Sequence, residues 1–237
     1  MHRFSAHRRA LFAGLLLTLG ALPTAARAMV VDCGPTLCFE YDETQAAVSA
    51  LGLPVRVGDT MQFLPSSLLL ASASGVPAAD LPVSFVFDRI YSPSGGELLA
   101  LRVLEQGDYE LIGAGGAAGS RIELTARGNP SAEEVVAAAV FSDTGDSGSM
   151  QLWELEVSVA PAAAFAGPAS DIRLTIDYLL QASSTQFSDL AWIQNKYLLV
   201  TGEVGTPVPL PGTLWLFATA AGLCGWRAKR RCKDYDK

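Results

Sequence analysis

Between Met29 and about Gly205 the chain reads as short runs of alternating apolar and polar residues, broken by Gly, Pro, Ser and Asp. In "DIRLTIDYLLQA", Ile172, Leu174, Ile176, Tyr178 and Leu180 alternate with Arg173, Thr175 and Asp177, the period of two that lets a strand bury one face. "QLWELEVSVA" repeats the pattern, with Trp153, Leu155, Val157 and Val159 on one side and Glu154, Glu156 and Ser158 on the other. "RIELTA" is a shorter example, and "NKYLLVTGEV" supplies a last strand. "PVSFVFDRIY" and "ELLALRVLEQ" flank a Ser-Pro-Ser-Gly-Gly stretch, a composition that predicts a hairpin. "DYELIG" is expected to follow a turn at Gly107-Asp108, and "GAGGAAGS" (Gly113 to Ser120) reads as a flexible hairpin loop. One stretch has helical credentials: in "NPSAEEVVAAAV", Ser131 can cap, Glu133 and Glu134 fall in the first turn and alanines follow. The same run also reads as a strand ending at Phe141. About nine to eleven strands at this spacing predict an all-β fold, an antiparallel β-sandwich or jelly roll, in one domain over residues 29–205.

The two ends break this pattern. "MHRFSAHRRALFAGLLLTLGALPTAARA" has a basic start, an apolar stretch and the small-residue pattern Ala26-Arg27-Ala28, the layout of a cleavable signal peptide over residues 1–28. Cleavage is expected after Ala28, leaving Met29 first; the apolar run of about 13 residues is short for a span, which needs about 20. Residues 206–237 hold a second apolar run, about 19 residues from Val208 to Trp226, followed by the basic cluster Arg227, Lys229, Arg230 and Arg231. That arrangement predicts a single membrane-spanning helix with its basic end in the cytoplasm.

Charge and chemistry change once the ends are set apart. The region between them carries seven basic and 22 acidic residues, a net charge of −15 against −7 for the whole chain. Such a surface repels nucleic acid, so a nucleic-acid partner is excluded. Both histidines, His2 and His7, lie in the first 28 residues, which excludes a Ser/His/Asp or Cys/His hydrolase from the exported part. Carboxylate-only enzymes such as glycosidases survive that test, but nothing singles out two of the 22 acids, and Glu154 and Glu156 read as solvent-facing alternation. Cys33 and Cys38, in "CGPTLC", are expected to form a local disulfide in an oxidising compartment rather than free thiols or a metal site, which would need two further ligands. "SDTGDSGS" contains Asp143 and Asp146, a weak calcium candidate that lacks the denser oxygen pattern of a calcium loop and reads better as a solvated turn. "GAGGAAGS" has neither the lysine nor the spacing of a phosphate loop. No cofactor is expected. Trp153, Trp192, Tyr91, Tyr109 and Tyr197 could include a sugar-stacking platform.

The C-terminal stretch also resembles something specific. The motif Val208-Pro209-Leu210-Pro211-Gly212, a short apolar helix beginning "TLWLFATAAGL", and the basic cluster look like a PEP-CTERM sorting signal of the VPLP type. The resemblance covers about 30 residues and implies processing by an exosortase-like enzyme after signal peptidase, with a transient hold in the inner membrane. It further implies release to the cell surface or the exopolysaccharide matrix of a Gram-negative bacterium. The reading that results is an exported, non-enzymatic matrix or surface protein, structural or adhesive. The alternatives are a secreted carbohydrate-binding module and an unprocessed, membrane-anchored surface protein.

Overall fold

A computed structural model describes residues 28–205, apart from 67, 77 and 78. Among these residues it contains twelve strands and two four-residue helices, arranged as two antiparallel sheets that pack face to face around one apolar core. The first sheet runs β1 (Met29–Cys33), β2 (Cys38–Asp42), β6 (Ala79–Tyr91), β11 (Asp171–Ser184), β8 (Gly116–Gly128) and β9 (Glu134–Thr144). The second runs β10 (Gln151–Val159), β7 (Leu98–Ile112), β12 (Leu190–Val204), β4 (Thr60–Phe63) and β3 (Val55–Val57). In the second sheet β5 (Leu69–Ala73) lies beside β4 along the same edge of β12. The all-β sandwich expected from the alternation is therefore present.

The alternation translates directly into burial. Along β11, Ile172, Leu174, Ile176, Tyr178 and Leu180 are buried, and along β10 so are Trp153, Leu155, Val157 and Val159. At the centre, Phe85 and Phe87 from the first sheet meet Phe63 from the second, and Phe39 packs on Phe87 at 5.5 Å; Phe63 and Phe85 are 4.8 Å apart edge to face, and Phe85 and Phe87 4.9 Å. Each of these fully buried rings contributes on the order of 2 kcal/mol by leaving water. On one flank a second cluster closes the sandwich: Phe141 of β9 stacks on Trp153 of β10 at 5.4 Å and touches Tyr109 at 5.3 Å.

Of the two readings of "NPSAEEVVAAAV" the strand holds, as β9, paired with β8 from Glu134 to Thr144 and so running three residues past Phe141; its alternating burial and complete ladder outweigh the helix preference of three alanines. Three expectations are corrected. The Ser-Pro-Ser-Gly-Gly segment does not close a hairpin, because β6 belongs to the first sheet and β7 to the second. The glycine-rich stretch likewise crosses between sheets, with Gly116 to Ser120 already in β8. Gly107-Asp108 is no turn: β7 runs unbroken through it. A Cβ on Gly107 would lie 1.9 Å from the Gln194 carbonyl oxygen and 2.8 Å from the Trp153 indole nitrogen, so this glycine serves a close approach of backbones. No helix among the described residues is long and apolar enough to cross a membrane, and the expected C-terminal span lies outside them.

Candidate functional site

Of the residues the sequence singled out, Ala26, the motif Val208-Pro209-Leu210-Pro211-Gly212 and the cluster Arg227, Lys229, Arg230 and Arg231 lie outside the described residues. Ala28 is described, its carbonyl accepting from Glu43 N–H at 3.1 Å, and Met29 opens β1. Cys33 and Cys38 form the expected disulfide, joining directly opposed residues of β1 and β2. The loop it closes is held to the β3–β4 turn by Asp59, which accepts from the Thr36 and Leu37 amides and the Thr36 hydroxyl at 2.7 to 3.0 Å. Partial burial raises the Asp59 pKa, but those three donors and Arg56 outweigh it and hold the carboxyl below its ordinary value.

Asp143 and Asp146 are turned to other work. Asp143 accepts from the Tyr109 hydroxyl at 2.6 Å and from Thr144 N–H, while Asp146 accepts from Gly148 N–H at 2.9 Å. Burial first, and then this bond to Asp143, pushes the Tyr109 pKa up to about 12. Among the described residues no three His, Cys, Asp or Glu side chains are grouped to hold a metal ion. Glu154 and Glu156 face solvent on β10, engaged by Gln106 at 2.6 Å and Arg102 at 3.2 Å respectively.

The aromatic residues divide sharply. Trp153 and Tyr109 are buried, and Tyr91 lies under the Arg89 guanidinium, 4.6 Å from its ring centre. Trp192 and Tyr197 are half-buried on β12, on the opposite side from inward Ile193, Asn195 and Leu198. Both therefore stand on the outer face of the second sheet. Lys196 is the extra residue of a β-bulge between Asn195 and Tyr197, which re-aims the tyrosine. The Trp192 indole donates to Glu110 at 3.1 Å. Beside Tyr197 a depression of about 320 Å³ is lined by Gln106, Asp108, Leu152, Glu154 and Lys196, and Lys196 folds over the buried Asp108 carboxylate in an ion pair. The outer face of the first sheet also carries a depression, about 410 Å³, but its outward side chains are Pro82, Ser84, Arg121, Glu123, Asp177 and Leu179, without an aromatic ring.

Between the sheets lies a polar cluster that sequence reasoning did not find. Glu105 of β7 is fully buried and accepts from Ser120 at 3.0 Å and from the Asn195 amide. Burial pushes its pKa up to about 8, against the hydrogen bonds from Ser120 and Asn195 and the nearby Tyr178 hydroxyl, so the acid is largely protonated at neutral pH. The Tyr178 hydroxyl sits close enough to influence Glu105 yet makes no well-aligned hydrogen bond of its own; burial, then the nearby Glu105, drives its pKa well above the ordinary value. The one signal for this cluster was Glu105 on the apolar side of an alternating run, a single polar residue in an inward register.

No protein-family model matches the chain, and no curated protein sequence matches it. Among solved structures, the CBM22–GH10 modules of a Clostridium thermocellum endo-1,4-beta-D-xylanase complexed with xylohexaose align at a TM-score of 0.25 and 11% identity, covering 57% of this chain and 26% of that one. An arabinose-bound GH51 α-L-arabinofuranosidase aligns at 0.20 and 10% identity, covering 65% and 24%. The infectious bursal disease virus Gt strain structure aligns at 0.26 and 10%, covering 90% and 60%. The chain spans about a quarter of the length of the first two, and at these TM-scores the likeness carries no argument.

Proposed function

We propose that this chain is an exported, non-catalytic β-sandwich of the cell surface or extracellular polymer that grips polysaccharide on the outer face of its second sheet. The observation that carries the binding reading is the placing of Trp192 and Tyr197 on one outer face, with Tyr197 beside a depression edged by Gln106, Glu154 and Lys196 and Trp192 farther along the same strand. Sugar rings stack on aromatic faces while their hydroxyls take amide, carboxylate and ammonium partners, and this face offers both. Export is supported by the basic-apolar-small order of residues 1–28, by a first strand that starts at Met29, and by a disulfide within the next ten residues. Sorting rests on the PEP-CTERM resemblance of residues 208–231, which would make the tail a temporary membrane hold for signal peptidase and exosortase to process.

Glycan-array binding and affinity electrophoresis test the first part. W192A and Y197A should each weaken binding at least tenfold while leaving the melting temperature nearly unchanged; binding that survives both would remove this face from consideration. Intact mass spectrometry of protein from cells and from culture matrix tests the second part. A species beginning at Met29 and ending near Pro211 is expected, whereas a membrane species that retains Lys237 makes the chain an unprocessed anchored protein.

A further inference from the structure

The two flanks of the sandwich are built differently. On one, the edge strands are β1, five residues long, and β3, three residues long, tied together by the Asp32–Arg56 ion pair at 2.5 Å and bordered by the disulfide. Short strands with charges are the usual protection of a sheet edge. On the other flank the edges are β9, eleven residues, and β10, nine residues, each hydrogen-bonded to one neighbour only among the described residues.

β9 is the unprotected one. In a domain with 29 charged residues, the eight from Val135 to Ser142 carry none, and they include neither proline nor glycine. Val136 is 50% exposed and Val140 66%, with exposed Ala138 midway between them. Half of the strand's N–H and C=O groups point away from β8, and only another strand can satisfy them as a row.

We propose that a second copy of this chain covers β9, the two strands pairing antiparallel about a two-fold axis through Ala138 and joining the first sheets into one of twelve strands. The sequence is self-complementary in that register. Val136 meets the partner's Val140, Ala137 the partner's Ala139 and Val135 the partner's Phe141, so each face matches its own kind. Glu134 falls opposite the partner's Ser142; just past the strand's start Asp143 falls opposite the partner's Glu133, but Asp143 is turned inward to Tyr109 and Glu133 accepts from Ala166 N–H, so from Glu134 to Ser142 no like charges oppose each other. This matters because two domains of charge −15 repel wherever else they touch. The short, ion-paired opposite flank then ends growth at two copies, giving a closed dimer instead of a fibre.

Sedimentation equilibrium on the purified full chain in mild detergent tests this. At about 100 µM and about 0.5 M salt, where the Debye length is roughly 4 Å, the wild type should be dimeric, and its dissociation constant should rise as salt is lowered. Ala138→Lys places two ammonium groups on the axis and should weaken dimerisation at least tenfold without changing the circular dichroism spectrum, whereas Val31→Lys on the opposite edge should leave it unchanged. Ala138→Cys should give a symmetric intermolecular disulfide on oxidation. A wild type monomeric under these conditions, an association that persists in Ala138→Lys and so arises from the tail or another surface, or an open-ended polymer would each overturn the proposal.

Discussion

Glu105 shows what a single buried residue can do to the pH dependence of the whole domain. Its folded pKa, about 8, lies above the ordinary value of 4.5, so the folded state keeps a proton that the unfolded chain releases. The stability this contributes is complete below about pH 4.5 and is lost as pH rises toward 8, at up to about 1.4 kcal/mol per pH unit. Glu105→Gln keeps the shape and removes the titration; the variant should match the wild type near pH 4.5 and exceed it by about 4 kcal/mol at pH 8, as urea denaturation at both pH values would read. A wild type whose stability rises from pH 5 to 8 while the variant follows in parallel would show that Glu105 stays ionised. Gly107→Ala is expected to be far more damaging, about 3 kcal/mol, since the added methyl meets the Gln194 carbonyl and the Trp153 indole at once. Neither effect was legible in the sequence in full. Glu105 stood out only by its register, and Gly107 beside Asp108 has the composition of a turn, because the strand that crowds it comes from about 90 residues away.

At the scale of elements, β10 and β11 were legible because each exposes one face and buries the other, so every second residue reports the sheet. β9 was ambiguous for the opposite reason: alanine and valine fit either state, and the ladder to β8 decides. The sheet crossings after β6 and β7 were not legible, since a short glycine-containing connection serves a hairpin and a crossing equally well. The β1–β2 disulfide was read from spacing and compartment. Its loop has a sequence separation of five, so replacing both cysteines with alanine should cost about 2 kcal/mol, measured as a lower denaturation midpoint that reductant no longer changes. The Asp59 contacts reinforce the same loop at neutral pH. With its folded pKa depressed, their stabilisation is present above the ordinary carboxylate pKa and fades as pH falls below about 3.8.

At the scale of the molecule, the charge of −15 was countable from the chain, but its distribution was not. The basic residues are largely spent in local pairs, among them Arg89 with Asp171 at 2.7 Å and Arg121 with Glu123 at 2.5 Å, leaving acids in excess over much of the surface. Self-repulsion of this kind is relieved by salt, so the melting temperature should rise by several degrees between about 0.02 and 0.2 M sodium chloride; a flat profile would mean that the acids are too dispersed to matter. The outward rings on β12 were foreseeable as candidates, and only the fold could separate Trp192 and Tyr197 from buried Trp153 and Tyr109.

β12 is the last strand in chain order among the described residues, yet it is the spine of the second sheet: β7 flanks it along one side, and β4 and β5 share the other. A chain threaded through a membrane channel from its N-terminus delivers that spine last. Until residues 190–204 emerge, β4 and β5 have no strand to dock on and β7 has one bare side, so the second sheet cannot assemble piecemeal. If the chain is exported as proposed, its second sheet can lock only once residues 190–204 have crossed.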